Sequence, residues 1–160
     1  MYFAFSLIVF LGAMIAQTTL LNFFTIHGVK PDLVLIIVVY LGLIEGPNPG
    51  CLSGFSFGLF EDVYSGISLS GVNALSKTIS GFLGGLLGKH LYTQSFVVPV
   101  ICVGLGTVLD VLLCVGLYQD FTPEWKRILV YESIYNMLCC PLIVMIFRFG
   151  ERHLRRRTSL

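Results

Sequence analysis

Six apolar runs, separated by short polar or glycine- and proline-rich stretches, occupy most of this 160-residue chain. A helix that crosses a bilayer needs about 20 mostly apolar residues, so such runs predict membrane helices. The runs are Tyr2–Leu21, Pro31–Ile44, Gly50–Phe60, Val72–Gly88, Phe96–Leu117 and Ile128–Phe149. The second and third are short and form either a re-entrant hairpin or two thin spans, joined by a predicted turn over residues 46–49. Both choices leave the two termini on the same side.

The composition excludes an ordinary soluble domain. Hydrophobic residues make up 56% of the chain and charged residues only 12%, whereas a soluble domain carries about 25% charged residues. A chain of this size cannot enclose so much apolar surface in its own core, and its net charge of +1 gives no basic face for nucleic acid. We therefore predict an all-α, polytopic membrane protein. Residues 1–150 form a single six-helix transmembrane bundle in the lipid bilayer, and residues 151–160 form a basic cytoplasmic tail.

Lysine and arginine residues predict the orientation, because short cytoplasmic loops carry an excess of them. With six crossings and both termini inside, the inner side holds six basic residues and the outer side three. The inner set is Lys89, Arg148, Arg152, Arg155, Arg156 and Arg157, and the outer set is Lys30, Lys126 and Arg127. We expect the arginine run 155–157 to anchor the topology by contact with anionic lipid, rather than to dock a protein.

Glycine recurs every fourth residue in the third run, at Gly50, Gly54 and Gly58, and the fourth run carries Gly81 and Gly85 at the same spacing. Small residues at this interval form a groove along one helical face and allow two backbones to approach closely in lipid. We predict that the third and fourth helices pack together through this groove within one chain.

Two segments match known motifs without the structural context that those motifs need. Residues 54–58 fit G-x-S-x-G, but a nucleophile elbow requires a strand before it and a helix after it. Residues 71–78 differ at one position from a P-loop, which must follow a strand. Both segments belong to apolar helical runs, and the three histidines and five cysteines have no metal-ligand spacing. We expect no catalytic residue, no cofactor and no metal.

Charged side chains inside the apolar runs are functional candidates, because a charge within a bilayer is costly. They are Glu61, Asp62, Lys77, Asp110 and Glu132. At a rise of about 1.5 Å per residue, all five fall in the outer half of the membrane. Together with two amides in the same region they form a predicted intramembrane polar network of Asp62, Asn73, Lys77, Asp110, Glu132 and Asn136.

Lys77 is the one cation in this set, so we expect an ion pair with Asp110 or Asp62. Three roles for the network are open at this point. It can be a buried network that sets how the helices pack, a ligand pocket open to the outside, or a docking site for a helix of another membrane protein. Proton relay is weaker, because no chain of ionisable groups reaches the inner half.

One further set of residues extends over most of the chain from position 30 onward. Its members are Lys30-Pro31-Asp32-Leu33, Gly54-Phe55, Gly58-Leu59, Asp62, Ser65-Gly66, Gly71-Val72-Asn73-Ala74-Leu75, Val108-Leu109-Asp110, Asn136 and Pro141. As a set, this pattern resembles the MreD family of bacterial rod-shape-determining membrane proteins. Lys77 departs from the family pattern.

The resemblance implies a non-catalytic subunit of the inner-membrane complex that regulates cell shape and lateral peptidoglycan synthesis. It implies MreC, the actin-like MreB, the glycosyltransferase RodA and a class B penicillin-binding protein as partners. It also implies a fold similar to the substrate-binding subunits of energy-coupling-factor vitamin transporters. A solute-binding subunit of such a transporter is the alternative function, although its small-residue signature in the first helix is present only loosely, as Gly12 and Ala16.

Overall fold

The computed structural model describes residues 2–20, 29–65, 71–91, 95–118 and 124–158, and the regular elements in these ranges are helices. They are α1 (Tyr2–Ile15), α2 (Leu33–Glu45), α3 (Pro47–Ser65), α4 (Val72–Gly88), α5 (Val97–Tyr118) and α6 (Trp125–Thr158). A π-helical segment, Ala16–Leu20, continues α1. The predicted all-α class is confirmed. Leu21 of the first predicted run, Gly66 of the family pattern and residues 159–160 of the predicted tail lie outside the described residues.

The predicted turn between the second and third runs is shorter than expected. Gly46 alone separates α2 from α3, and its φ of 104° is a conformation that glycine adopts at little cost. Its backbone N–H donates to the Gly42 carbonyl and so caps α2. Pro47 and Pro49 then stand in the first turn of α3, where a missing N–H removes no helical hydrogen bond. The prolines therefore start the third helix instead of interrupting it.

Helix α2 forms the centre of the bundle. Every residue from Val34 to Leu43 is buried, and α2 contacts α1, α3, α4, α5 and α6. A helix that is apolar all round needs apolar surroundings on every side. The short second run is therefore a core helix that is surrounded by protein.

Contacts between the helices show that the chain direction alternates. Gly50 lies against Gly81 and Gly58 lies against Ala74, so α3 and α4 are antiparallel. Side-chain hydrogen bonds and glycine contacts show that α5 is antiparallel to both α4 and α6. The close approach of α4 glycines to the α2 backbone shows that α2 and α4 are parallel. Helices α2, α4 and α6 therefore begin at the end of the bundle where α1, α3 and α5 finish. We call this end the polar end.

Helices α3 and α4 touch through their backbones. A Cβ atom added to Gly54 would overlap the Lys77 carbonyl, and one added to Gly50 would overlap the Gly81 carbonyl. The other glycines of the predicted groove meet backbone atoms in the same way, Gly58 at Ala74, Gly81 at Gly50 and Gly85 at Pro47. No side chain larger than hydrogen fits at these five positions without separating the helices.

Two described helical segments are long and apolar enough to cross a membrane, Val97–Leu117 and Trp125–Gly150. The apolar helices Phe5–Thr19 and Leu33–Glu45 are shorter. Helix α6 has 34 residues, a length of about 50 Å that exceeds a hydrocarbon core of about 30 Å. Its helical path continues through most of the predicted tail.

The outer surface of α6 is strongly apolar. Leu138, Leu142, Met145 and Phe149 are 62–69% exposed. In water such a surface would drive association, whereas lipid chains solvate it. Six crossings and the likeness to vitamin-transporter subunits stay predictions.

Candidate functional site

Lys77 is the centre of a buried charged group at the polar end. It is 1% exposed, and its Nζ lies 2.8 Å from a carboxylate oxygen of Asp32 and 2.8 Å from one of Glu61. The sequence predicts Asp110 or Asp62 as the partner, and both assignments are wrong. Because the two carboxylates come from the start of α2 and the last turns of α3, the ammonium group joins three helices.

Asp32 has a second role, since it is the N-cap of α2. Its Oδ1 accepts a hydrogen bond from the backbone N–H of Leu35 at 2.9 Å, while Oδ2 contacts Lys77. Its own backbone N–H donates to Oδ1 of Asn136 at 2.8 Å. A capping side chain satisfies a free N–H of the first helical turn, so the same residue starts α2 and holds the lysine.

Asn136 links three helices through its amide group. Its side chain is fully buried, and its Nδ2 donates to Oγ1 of Thr107 in α5 at 3.0 Å. Thr107 donates to the Val103 carbonyl at 2.9 Å. Both ends of the Asn136 amide therefore have partners, as a buried polar group requires. The contact with Asp32 makes α6 part of the same network.

Asp62 caps the start of α4. Its carboxylate accepts hydrogen bonds from the backbone N–H groups of Gly71 at 2.9 Å, Asn73 at 3.3 Å and Ala74 at 3.0 Å. The side-chain amide of Asn73 donates to the same carboxylate at 3.0 Å. A negative charge is favourable at a helix N-terminus, because the helix dipole is positive there. This role directs Asp62 to the α4 backbone and away from the lysine.

Gln17 extends the charged group to the first helix. It lies in the π-helical segment and is buried, and its Nε2 donates to Oε1 of Glu61 at 3.0 Å. Its Oε1 accepts from the backbone N–H of Leu33 at 3.2 Å. Short π-helical segments recur at functional sites, where they reorient single side chains. Gln17 thus connects α1 to both neighbours of the lysine.

Asp110 and Glu132 complete the acidic side of the site. Oδ1 of Asp110 accepts a hydrogen bond from Oγ of Ser76 at 2.6 Å. One carboxylate oxygen each from Asp32, Asp110 and Glu132 lies within 4.8 Å of the other two. Hard cations prefer such oxygen ligands, so these three residues are the group that could contact one cation together.

A cavity of about 410 Å³ opens among these side chains. Its polar wall consists of Gln17, Lys30, Asp32, Glu61, Asn73, Lys77, Asp110 and Glu132. Its apolar wall consists of Val29, Pro31, Val111, Cys114, Val115, Trp125 and Ile128. Four of the six residues in the predicted network line this cavity, namely Asn73, Lys77, Asp110 and Glu132. Asp62 and Asn136 are one hydrogen bond away from it, through Asn73 and Asp32 respectively.

Sequence reasoning missed several members of the site. The sequence predicts Glu61 as an intramembrane charge outside the polar network, and Asp32 belongs only to the family pattern. Gln17, Ser76 and Thr107 are members that the sequence pattern does not predict. The signal that could have found Gln17 is an amide within the otherwise apolar first run.

The segments that match a nucleophile elbow and a P-loop are both helical, and neither motif is formed. Ser56 lies inside α3 with helix on both sides, so residues 54–58 do not form a strand–turn–helix elbow. Residues 72–78 form the first turns of α4, and Asp62 of α3 caps them in the position that a P-loop would give to phosphate.

Comparison with known proteins supports the resemblance seen in the sequence. A search of curated proteins and a search of solved structures each found no match. The family model described as rod shape-determining protein MreD matches residues 1–150, which is nearly the whole chain. This is a membrane protein family within the Mre shape-determining system, in agreement with the apolar surface of the bundle. The chain belongs to the MreD family of rod shape-determining proteins.

Proposed function

We propose that this protein is a non-catalytic assembly subunit of the complex that elongates rod-shaped bacteria and directs lateral peptidoglycan synthesis. The observation that carries the proposal is the family match over residues 1–150. The proposed partners are MreC, MreB, RodA and a class B penicillin-binding protein, which the subunit would hold together in the inner membrane.

The packing of α2, α3 and α4 supports a scaffold role. The α3–α4 contact runs through backbone atoms, and the Lys77 ion pairs join the same three helices at the polar end. Close backbone packing and satisfied polar contacts both limit how far helices can shift against one another. Such a unit can present a fixed surface to partner helices.

A cleft on the outside of α3 and α4 is the surface that we assign to a partner's transmembrane helix. It has a volume of about 520 Å³ and is lined by Asn48, Cys51, Leu52, Phe55, Thr78 and Phe82. Leu52 and Phe55 are 64% and 52% exposed. An apolar groove beside projecting side chains suits a helix that packs by van der Waals contact.

The experiment is affinity purification of the tagged full chain from a rod-shaped host, followed by mass spectrometry and measurement of cell width. We expect MreC and a penicillin-binding protein to co-purify. Phe55→Ala should reduce their recovery and round the cells. Phe149→Ala, which truncates an equally large exposed side chain on α6, is the matched control and should do neither.

Two results would contradict the proposal. If the wild-type chain recovers no component of the wall-synthesis complex, the assembly role fails. If Phe55→Ala and Phe149→Ala reduce recovery equally, the assembly role stands but the α3–α4 cleft is not its surface.

The second candidate function is a solute-binding subunit of an energy-coupling-factor transporter. The polar-end cavity of about 410 Å³ favours it, because this volume lies within the range of small-molecule sites. Co-purification of transporter ATPases in place of MreC would establish this function.

A further inference from the structure

The polar-end cavity contains carboxylate oxygens that no described residue satisfies. Asp110 is only 5% exposed, and its Oδ1 accepts from Ser76, but its Oδ2 receives no hydrogen bond from any described residue. Glu132 has neither a hydrogen bond nor an ion pair within the described part of the chain. Both side chains line the cavity. These oxygens are therefore available as hydrogen-bond acceptors for a molecule that enters the cavity.

Acidic side chains outnumber basic ones around the cavity. Its wall carries four carboxylates, Asp32, Glu61, Asp110 and Glu132. Against them stand two ammonium groups, and one of these, Lys77, is already held between two carboxylates at 2.8 Å each. The other belongs to the exposed Lys30. A carboxyl group in a low-dielectric site is stable as an anion only beside a positive charge, so this surplus of acidic groups favours a cationic ligand over an anionic one.

The size and walls of the cavity distinguish between kinds of cation. A volume of about 410 Å³ is that of a site for an organic molecule and far exceeds the space that a bare ion needs. The same cavity is also lined by the indole of Trp125 and the aliphatic side chains of Val111, Val115 and Ile128. A ligand with a charged head and an apolar body would contact both walls.

We infer that this cavity binds a small organic cation, with an ammonium or amidinium group at the carboxylates of Asp110 and Glu132 and an apolar body against Trp125. The Asp110 and Glu132 oxygens accept the hydrogen bonds of the cationic head, and Ser76 holds Asp110 in position. The binding site is separate from the α3–α4 cleft, so it is additional to the assembly role.

Trp125 allows binding to be measured directly, because it is the single tryptophan of the chain and it lines the cavity. The full chain in detergent is titrated at constant ionic strength with cyclohexylamine, agmatine, cyclohexanol, magnesium chloride or calcium chloride. We expect a saturable change in tryptophan fluorescence with at least one of the two amines. Cyclohexanol, which has the same ring without the charge, should give no saturable change.

Variants test which carboxylates carry the binding. Glu132→Gln and Asp110→Asn should each weaken the amine response at least tenfold. Glu45→Gln removes an exposed carboxylate at the opposite end of α2 and should leave the response unchanged. The inference is overturned if neither amine gives a saturable response, if cyclohexanol responds equally, or if only the magnesium or calcium salt responds.

A second measurement remains informative if Asp110→Asn fails to fold. Cys114 also lines the cavity, so a variant in which it is the only cysteine can be modified there. The positively charged 2-aminoethyl methanethiosulfonate should modify Cys114 at least five times faster than its negatively charged 2-sulfonatoethyl analogue. Each rate is first divided by the rate of the same reagent with 2-mercaptoethanol. Glu132→Gln should reduce this preference. Equal normalised rates would overturn the inference.

Discussion

Lys77 and Asp32 form an ion pair of 2.8 Å that ties the first turns of α4 to the start of α2 inside the bundle. The other carboxylate oxygen of Asp32 caps α2 by accepting the N–H of Leu35. The pair therefore couples a local event, the start of a helix, to the packing of two helices that are distant in sequence. Loss of either charge should affect both.

Replacing Lys77 by methionine leaves the carboxylates of Asp32 and Glu61 without their cation. Removing one partner of a buried ion pair costs about 3–5 kcal/mol, so we expect the free energy of unfolding in detergent to fall by this order. The double variant Lys77→Met, Glu61→Gln leaves fewer unpaired charges and should lose less than Lys77→Met alone. Lys89→Met, at an exposed position after α4, is the control and should change stability by less than about 0.5 kcal/mol.

A double variant that is less stable than Lys77→Met alone would contradict this expectation. If the double variant is less stable than Lys77→Met by the full separate effect of Glu61→Gln, the two residues act independently and the ion pair contributes nothing.

Replacing Asp62 by asparagine should loosen the start of α4. The substitution removes the charge that accepts the N–H groups of Gly71, Asn73 and Ala74. We expect a loss of about 1–2 kcal/mol and faster hydrogen exchange at the first amides of α4. Glu124→Gln alters a carboxylate that is 71% exposed and serves as the control. Unchanged exchange in the first turn of α4 would show that the cap contributes little.

The helices and the α3–α4 contact could be predicted because their signals are local. A run of apolar residues predicts a helix wherever it lies in the fold, and glycine at every fourth position predicts one smooth face. The missed boundary between α2 and α3 has a local cause as well. Pro47 and Pro49 resemble turn residues in composition, but the first turn of a helix accepts them.

The partners of Lys77 could not be predicted, because depth along a helix does not give the direction of a side chain or the neighbouring helix. Glu61 and Asp62 illustrate this. Consecutive residues are about 100° apart around a helix, so one reaches the lysine while the other reaches the α4 backbone. Asp32 lies at the start of α2, and its position near the end of a predicted helix gives no reason to expect that its side chain is buried.

Replacing Gly54 by leucine should separate α3 from α4. Even a Cβ atom at this position would overlap the Lys77 carbonyl, and backbone atoms cannot move aside as a flexible side chain can. We expect a loss of about 3 kcal/mol or more, or failure to accumulate in the membrane. Gly12→Leu is the matched control, because a Cβ there meets no atom within 4 Å. A folded, fully abundant Gly54→Leu protein that supports rod shape would show that the contact is dispensable.

The topology of the chain can be tested with reporter fusions. The helices alternate in direction, and Lys30, Lys126 and Arg127 belong to the polar end. Lys89, Arg148, Arg152 and the arginine run 155–157 of α6 belong to the other end, which therefore carries the larger number of basic residues. Because basic residues favour the cytoplasmic side, we expect the polar end to face outward and both termini to face the cytoplasm. A phosphatase and a fluorescent-protein reporter placed after Leu160 and between α5 and α6 should therefore give opposite signals. A C-terminal reporter that is active outside the cell would invert the bundle and place the cavity on the cytoplasmic side.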